Sequence, residues 1–151
     1  MVELSGSVEV KAMYVMGENS LVADPDINHA RECLEKLDFL VVQDMFLTKT
    51  AEMADVVFPA SVAWAESDGT VTSSERRVQR VRKAIDSPGE ALPDWQITAA
   101  IAQKMGAKGF DFEDESQIMQ EIASVTPSYG GISYDRLEGD GLQWPCPSQD
   151  H

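Results

Sequence analysis

The residue with the clearest capacity for recognition chemistry is Asp44, which directly follows the apolar run Phe39–Val42. A carboxylate at the end of a buried strand can accept two N–H groups from a guanine edge, or bind ribose hydroxyls. Guanine suits this acceptor because its N1–H and its 2-amino group point in the same direction. The alternative is an ordinary solvated acid in a turn, and spacing alone leaves both interpretations open.

A second group of candidates follows another apolar run and consists of Gly17, Glu18 and Asn19. Glycine lets a backbone approach a bulky ligand closely or take a positive φ. Thr48 and Thr50 could each cap a short helix or offer a hydroxyl to a ligand, and a helix N-terminus also favours anions. The chain has neither a GxGxxG nor a GxxxxGK[ST] motif, which disfavours a standard dinucleotide fingerprint or a P-loop.

These candidates must be positioned by a β-loop-α-β unit spanning residues 8–44. Residues 8–16 form the first predicted strand, and Asp24-Pro25 opens a helix with Ile27, Ala30, Leu34 and Leu37 inward. Residues 39–42 form the second strand, and a third, Val56–Phe58, is stopped by Pro59. We therefore expect an α/β fold with a Rossmann-like parallel sheet, flanking helices and a ligand rim at the carboxyl ends of the strands. The rim residues are Gly17, Glu18, Asn19, Gln43, Asp44 and Thr48.

The remainder of the chain is predicted to carry a hairpin and two helices. Thr70–Thr72 pairs with residues 77–82, with a helix as the competing interpretation of the second segment. Asp94 caps one helix with Ile97, Ala100, Ile101 and Met105 on its inner face, and Gly106 ends it. Asp114 caps the other, with Ile118, Ile122 and Val125 inward. We place a linker at 86–90, so that residues 8–87 are the dinucleotide-binding segment and 88–151 a helical and irregular segment of an adjoining domain.

Composition narrows the function. A formal net charge of −14 and a pI near 4.3 argue against a nucleic-acid partner. Cys33 and Cys146 are expected to be free thiols of a reducing compartment, and no metal-ligand spacing appears. The chain has no signal peptide and no membrane-spanning stretch, so we expect a cytoplasmic location without membrane insertion.

No catalytic set is assembled in the sequence. Nothing in the sequence indicates that the acidic residues Glu66, Asp68 and Glu75 come together for general acid–base catalysis. The basic residues between 76 and 83 are expected to form a solvated or salt-bridged strand face, with a phosphate clamp as the alternative. The tryptophans Trp64, Trp95 and Trp144 are expected to pack.

Several strings, in this order, resemble the molybdopterin oxidoreductase family, most specifically formate dehydrogenase catalytic (alpha) subunits. Together they span most of the chain, and their joint occurrence is specific. They are Tyr14-Val15-Met16-Gly17-Glu18-Asn19, Leu40-Val41-Val42-Gln43-Asp44, Thr48-Lys49-Thr50-Ala51, Ala54-Asp55-Val56-Val57-Phe58-Pro59-Ala60, Glu75-Arg76-Arg77-Val78-Gln79-Arg80 and Gln143-Trp144-Pro145-Cys146-Pro147.

The resemblance implies an internal fragment of a longer catalytic subunit that oxidises formate to carbon dioxide. This fragment would hold one guanosine arm of a bis(molybdopterin guanine dinucleotide) cofactor that carries Mo or W. By the family pattern Gly17, Glu18 and Asn19 lie near the dinucleotide, and Asp44 reads the guanosine beside Gln43 and Thr48. Ser20 and Ser73 depart from the family's usual Pro and Asn.

The resemblance also implies what other segments supply. The iron–sulfur cysteines, the Cys or selenocysteine metal ligand and the catalytic His and Arg are missing, so no residue of this chain is assigned a catalytic role. Its partners would be the remainder of the subunit and the electron-transfer subunits. Alternatives are the equivalent segment of nitrate reductase or of the large iron–sulfur subunit of NADH–quinone oxidoreductase, a free-standing nucleotide-binding module, and an electron-transfer partner surface.

Overall fold

A computed structural model describes residues 10–150 and contains a three-stranded parallel sheet in the order β1-β2-β3. The strands are β1 (Ala12–Met16), β2 (Phe39–Asp44) and β3 (Val56–Pro59). Met16 lies opposite Gln43, and Asp44 lies opposite Pro59. The α/β prediction is confirmed. Val8 and Glu9, where the first strand was predicted to begin, lie outside the described residues.

Two helices connect β1 to β2, where the sequence predicted one. Helix α1 spans Ser20–Ala23 and α2 spans Ile27–Leu34. The cap of α2 is Asp26, whose Oδ1 accepts a hydrogen bond from the backbone N–H of His29 at 3.0 Å. The prediction of Asp24 as the cap was wrong, because the Asp24 carboxylate accepts the backbone N–H of Asp26 instead and so forms the turn before the helix.

One face of the sheet carries the apolar core of this part of the chain. Val15, Leu40 and Val42 alternate onto that face and pack with α1, α2 and the 3-10 helix Ala51–Met53. The other core members are Leu21, Ala30, Leu34 and Ala51. Fully burying a side chain such as that of Val42 stabilises the fold by about 1.5–3 kcal/mol. Ile27, predicted to face inward, is 46% exposed.

The second half of the chain contains an antiparallel sheet and two longer helices. Strands β4 (Gly69–Thr72) and β5 (Arg77–Val81) form the predicted hairpin, and the helical alternative for residues 77–82 was wrong. Strand β6 (Leu142–Gln143) pairs with β5. Helices α3 (Asp94–Lys104) and α4 (Glu115–Val125) occur where two helices were predicted.

Both helix boundaries follow their local chemistry. Gly106 takes a φ of +82° beyond the end of α3, as expected for a glycine stop. The Asp114 carboxylate accepts the backbone N–H groups of Ser116 and Gln117, and its hydrogen bonds to these residues hold its pKa below the usual range. The inner faces predicted for α3 and α4 were partly wrong. Met105 and Val125 are 81% and 73% exposed, and Met119 is the buried residue of α4.

The chain divides into two compact units. One runs to Ser61 and includes Pro88–Ile97, and the other consists of Val62–Ser87 with Thr98 onward. This division differs from the predicted boundary between 87 and 88. The β4–β5 hairpin joins the second unit because β5 pairs with β6, whereas Leu92 joins the first unit through a parallel bridge to Ala60.

The second unit has its own core, formed by Val78, Met119, Ile132, Leu137 and Cys146. Within residues 10–150, no helix is long and apolar enough to cross a membrane.

Candidate functional site

The carboxyl ends of β1 and β2 meet at one rim of the parallel sheet. The backbone N–H of Gly17 donates to the carbonyl of Gln43 at 2.9 Å, which joins the two strand ends. Gly17 takes a φ of +62°, and a Cβ built there would meet nothing within 4 Å. The backbone is therefore open to an approaching molecule, and glycine is required by its conformation rather than by crowding.

Asp44 ends β2 and is only partly buried. Strand alternation puts it on the same face as Val42, which is the face that packs against α1 and the 3-10 helix. Its Oδ1 accepts the backbone N–H of Phe46 at 3.0 Å, which fixes the direction of the carboxylate. Among residues 10–150 its Oδ2 accepts no hydrogen bond, so one carboxylate oxygen remains available at the rim.

Asn19 and Thr50 join the loop after β1 to the loop after β2. The buried Thr50 hydroxyl donates to Asn19 Oδ1 at 3.0 Å and accepts the backbone N–H of Leu21 at 3.1 Å. Thr50 occupies the N-cap position of the 3-10 helix without a side-chain cap, whereas Thr48 Oγ1 accepts the backbone N–H of Ala51 at 3.1 Å. The Thr50 hydroxyl links the two loops through its hydrogen bonds to Asn19 and Leu21. No local sequence signal distinguished the roles of Thr48 and Thr50.

Gln43 does not present its side chain to the rim. It is fully buried, its Oε1 accepts the hydroxyl of Tyr14, and its Nε2 donates to Asp94 Oδ1. The side chain of Gln43 is therefore engaged within the protein, which leaves its backbone for the predicted contact with a ligand. Burial, and secondarily the charge of Asp94, raises the pKa of Tyr14, so the phenol remains a neutral donor to Gln43.

A cavity of about 560 Å³ lies beside β1 and α1, within the size range of small-molecule sites. Its walls combine the apolar side chains of Met13, Tyr14 and Met16 with the carboxylates of Glu18 and Asp24. No lysine or arginine lines it, and neither Asp44 nor Thr48 is part of its wall. Of the predicted rim residues only Glu18 contributes to this cavity, which offers hydrogen-bond acceptors and apolar surface but no cation.

Comparison with protein-family models gives one match, to Molybdopterin oxidoreductase, over residues 1–104. This chain belongs to the molybdopterin oxidoreductase family. The match includes the whole rim of the parallel sheet and the β4–β5 hairpin.

Curated members of the molybdopterin oxidoreductase family match most of the chain. The F420-dependent formate dehydrogenase 2 subunit alpha of Methanococcus maripaludis is 58% identical over 139 residues, which is 91% of this chain and 20% of that protein. The F420-dependent formate dehydrogenase subunit alpha of Methanocaldococcus jannaschii is 52% identical over 152 residues, covering 100% and 22% respectively. The chain thus spans about a fifth of the length of these relatives.

A solved structure supports the same fold. Acetylene hydratase from Pelobacter acetylenicus superposes with a TM-score of 0.73 at 21% identity, covering 95% of this chain and 19% of that one. At this identity the likeness concerns the fold alone.

The basic residues that follow β4 are mostly paired with acids in this family member. Arg80 and Arg82 bind the two carboxylate oxygens of Glu138 at 2.9 and 2.8 Å, and Lys83 binds Asp86 at 2.8 Å. The salt-bridged face predicted from the sequence is confirmed for these three residues. Arg80 also lies 3.9 Å from the ring centroid of Tyr134, whose pKa burial raises to about 12.

Proposed function

We propose that this chain is a segment of a formate dehydrogenase catalytic subunit and that its rim holds the guanosine part of a molybdopterin guanine dinucleotide. The observation that carries the proposal is the oriented carboxylate of Asp44, with one oxygen unused, next to the open backbone turn at Gly17. The names of the curated relatives and their identity of 52–58% support the choice of parent enzyme.

The donor and acceptor set fits a nucleoside better than it fits a pyrophosphate. Guanine and ribose present N–H and O–H donors, and the rim and cavity offer the carboxylates of Asp44 and Glu18 to accept them. Phosphates need cations or exposed N–H groups, and the cavity wall holds no lysine or arginine. We infer that this chain recognises the guanosine and that the phosphates are neutralised by other segments of the parent subunit.

The role of these residues is positioning. Gly17 permits close approach of the backbone, Asp44 accepts the guanine edge, and the Asn19–Thr50 hydrogen bond keeps the two loops in register. Held at its guanosine end, the cofactor would supply the Mo or W chemistry for two-electron oxidation of formate, and iron–sulfur centres in other segments would accept the electrons. Electron-transfer subunits are accordingly the proposed partners.

Replacing Asp44 with alanine tests the guanine contact directly. Because a hydrogen bond to a charged group contributes about 1.5–3 kcal/mol, we expect GMP affinity to fall by about tenfold or more. Isothermal titration calorimetry with GMP and AMP measures this effect. AMP should bind the unaltered chain more weakly than GMP, because adenine N1 is an acceptor and faces the carboxylate unfavourably.

The matched control is Asp38→Ala. Asp38 is an exposed acidic residue that directly precedes the other end of β2, so its removal changes the net charge equally. GMP affinity should stay within about twofold, since surface charges at this separation are largely screened. Equal losses in the two variants, or equal binding of AMP and GMP, would refute the proposed guanine contact.

The chain by itself is expected to show no formate-dependent dye reduction. It contains two cysteines, and no group of three or more His, Cys, Asp or Glu that could hold a metal ion occurs among residues 10–150. A dye-reduction assay, with a full-length formate dehydrogenase as the positive control, measures this. Turnover by the isolated chain would contradict the assignment of a purely positioning role.

A further inference from the structure

Arg76 has a backbone conformation that arginine rarely adopts. Its φ is +63°, and it is the one non-glycine residue with a positive φ within residues 10–150. It occupies the β4–β5 turn, where its N–H donates to Ser73 O at 2.9 Å and Ser73 N–H donates to Arg77 O at 2.9 Å. Hairpins of this kind usually take glycine at the left-handed position, because other L residues are strained there.

The β4–β5 turn is held by hydrogen bonds from β6 and the residue that follows it. Gln143 Nε2 donates to the carbonyl of Glu75 at 2.8 Å, and the backbone N–H of Trp144 donates to the carbonyl of Arg76 at 2.9 Å. Trp144 stacks in turn on Tyr129, with ring centroids 6.2 Å apart. The strained arginine is therefore held in place by neighbouring structure, which is the pattern seen where strain serves binding.

The guanidinium of Arg76 has an aromatic neighbour but no anionic one. It lies 5.7 Å from the centroid of the Trp144 ring, and within the described part of the chain it makes no ion pair. The nearby basic residues Arg80, Arg82 and Lys83 all pair with carboxylates. Acidic partners are plentiful, because the formal net charge of the chain is −14. Arg76 thus keeps its full set of N–H donors for another group.

A cavity of about 380 Å³ opens beside this side chain. Its wall is formed by Arg76, Leu142, Gln143, Trp144, Pro145 and Cys146. The Gln143 amide nitrogen is already engaged with Glu75, so Arg76 is the charged donor of the cavity. A guanidinium is a planar fork that matches the two oxygens of a carboxylate or phosphate group.

We propose that this cavity is an oxyanion site, in which Arg76 binds a carboxylate or phosphate group of a small molecule and Trp144 provides the wall beside it. The site lies wholly in the second unit and does not depend on guanosine binding at the parallel-sheet rim. The exposed guanidinium is accessible to a solute, and the indole ring lies 5.7 Å from it. Phosphate should bind more tightly than acetate because it carries more charge at neutral pH.

Nuclear magnetic resonance on the ¹⁵N-labelled chain tests the proposal site by site. Phosphate, acetate and chloride are titrated separately at constant ionic strength, following the Trp144 indole N–H and the Arg76 Nε–H. We expect saturable shifts of both signals with phosphate and weaker ones with acetate. Shifts of equal size with chloride indicate general ion screening and overturn the proposal.

Arg76→Asn is the informative variant, because asparagine tolerates a positive φ and carries no charge. Oxyanion affinity should fall by about tenfold or more, while the thermal midpoint stays the same or rises. Arg76→Gly should also lose oxyanion affinity, and it compares affinity and thermal midpoint without any side chain at this position. Arg76→Lys should bind oxyanions more weakly than the unaltered chain, because lysine lacks the planar guanidinium with its paired N–H donors. Arg82→Asn, which removes a paired arginine from the same region, should leave affinity within about twofold. Undiminished binding in a folded Arg76→Asn chain refutes the site.

Discussion

Gln43→Ala is expected to lower the free energy of unfolding by about 3 kcal/mol, combining a cavity with the loss of two partly buried hydrogen bonds. The side chain is 0% exposed, and its amide links the hydroxyl of Tyr14 to the carboxylate of Asp94. Removing the amide takes a partner from each of these groups and leaves space in the face of the sheet opposite the apolar core.

Urea unfolding monitored by circular dichroism measures the change. Gln79→Ala is the control, because Gln79 is an exposed strand glutamine and its removal should change stability by no more than about 0.5 kcal/mol. Gln43→Leu separates the two contributions, since it keeps most of the volume and removes both hydrogen bonds. If Gln43→Ala were as stable as Gln79→Ala, the Tyr14–Gln43–Asp94 connection would have no structural importance.

The same substitution should also weaken GMP binding, although Gln43 touches no ligand in the proposed site. The backbone carbonyl of Gln43 accepts the Gly17 N–H, and Gln43 directly precedes Asp44. Loss of packing around residue 43 therefore loosens the backbone at both Gly17 and Asp44. The Gln43→Leu chain should bind GMP better than Gln43→Ala, because it preserves packing under the rim. Asp44→Ala should weaken binding and lower the free energy of unfolding by only about 1 kcal/mol, from the lost Phe46 hydrogen bond, which distinguishes a contact residue from a supporting one.

The parallel sheet and its rim could be predicted because their signals are local. Apolar runs followed by Gly17 and by Asp44 specify where β1 and β2 end, and parallel strands bring those ends to one edge. Alternation along β2 separates the two rim candidates, since Gln43 and Asp44 point to opposite faces. Position in the sequence alone had placed both residues on the rim, with the guanosine contact assigned to Asp44. The deciding partner, Asp94, is 51 residues from Gln43 and gives no local signal.

The pairing of β5 with β6 and the helix faces could not be predicted for a related reason. Residues 77–81 belong to the second unit because Arg77 pairs with Gln143, and nothing near either residue specifies this pairing. Helical periodicity identifies an apolar stripe but does not say what covers it. Val125 lies on such a stripe and is 73% exposed, whereas Met119 contacts the core of the second unit.

Gly131→Ala is expected to destabilise the second unit by about 3 kcal/mol or more, at the upper end of the range for overpacking. A Cβ at this position would lie 2.1 Å from the carbonyl oxygen of Ser148 and 2.9 Å from the Sγ of Cys146. The backbones at 131 and 146 are joined by the Gly131 N–H to Cys146 carbonyl hydrogen bond of 2.7 Å, so neither segment can withdraw without losing it. Amide hydrogen exchange at Val78 and Leu137, both in the core of the second unit, reports the loss.

The control is Gly139→Ala, since a Cβ there meets nothing within 4 Å and the stability change should stay within about 1 kcal/mol.

A double variant, Gly131→Ala with Ser148→Gly, identifies which atoms cause the destabilisation. The two nearest atoms to the added Cβ are the backbone oxygen and carbon of Ser148, so removing the serine side chain should restore little stability. Substantial rescue would mean that side-chain crowding, rather than close backbone approach, requires glycine at 131. Because Cys146 also lines the Arg76 cavity, Gly131→Ala should weaken oxyanion binding together with stability, whereas Arg76→Asn separates the two.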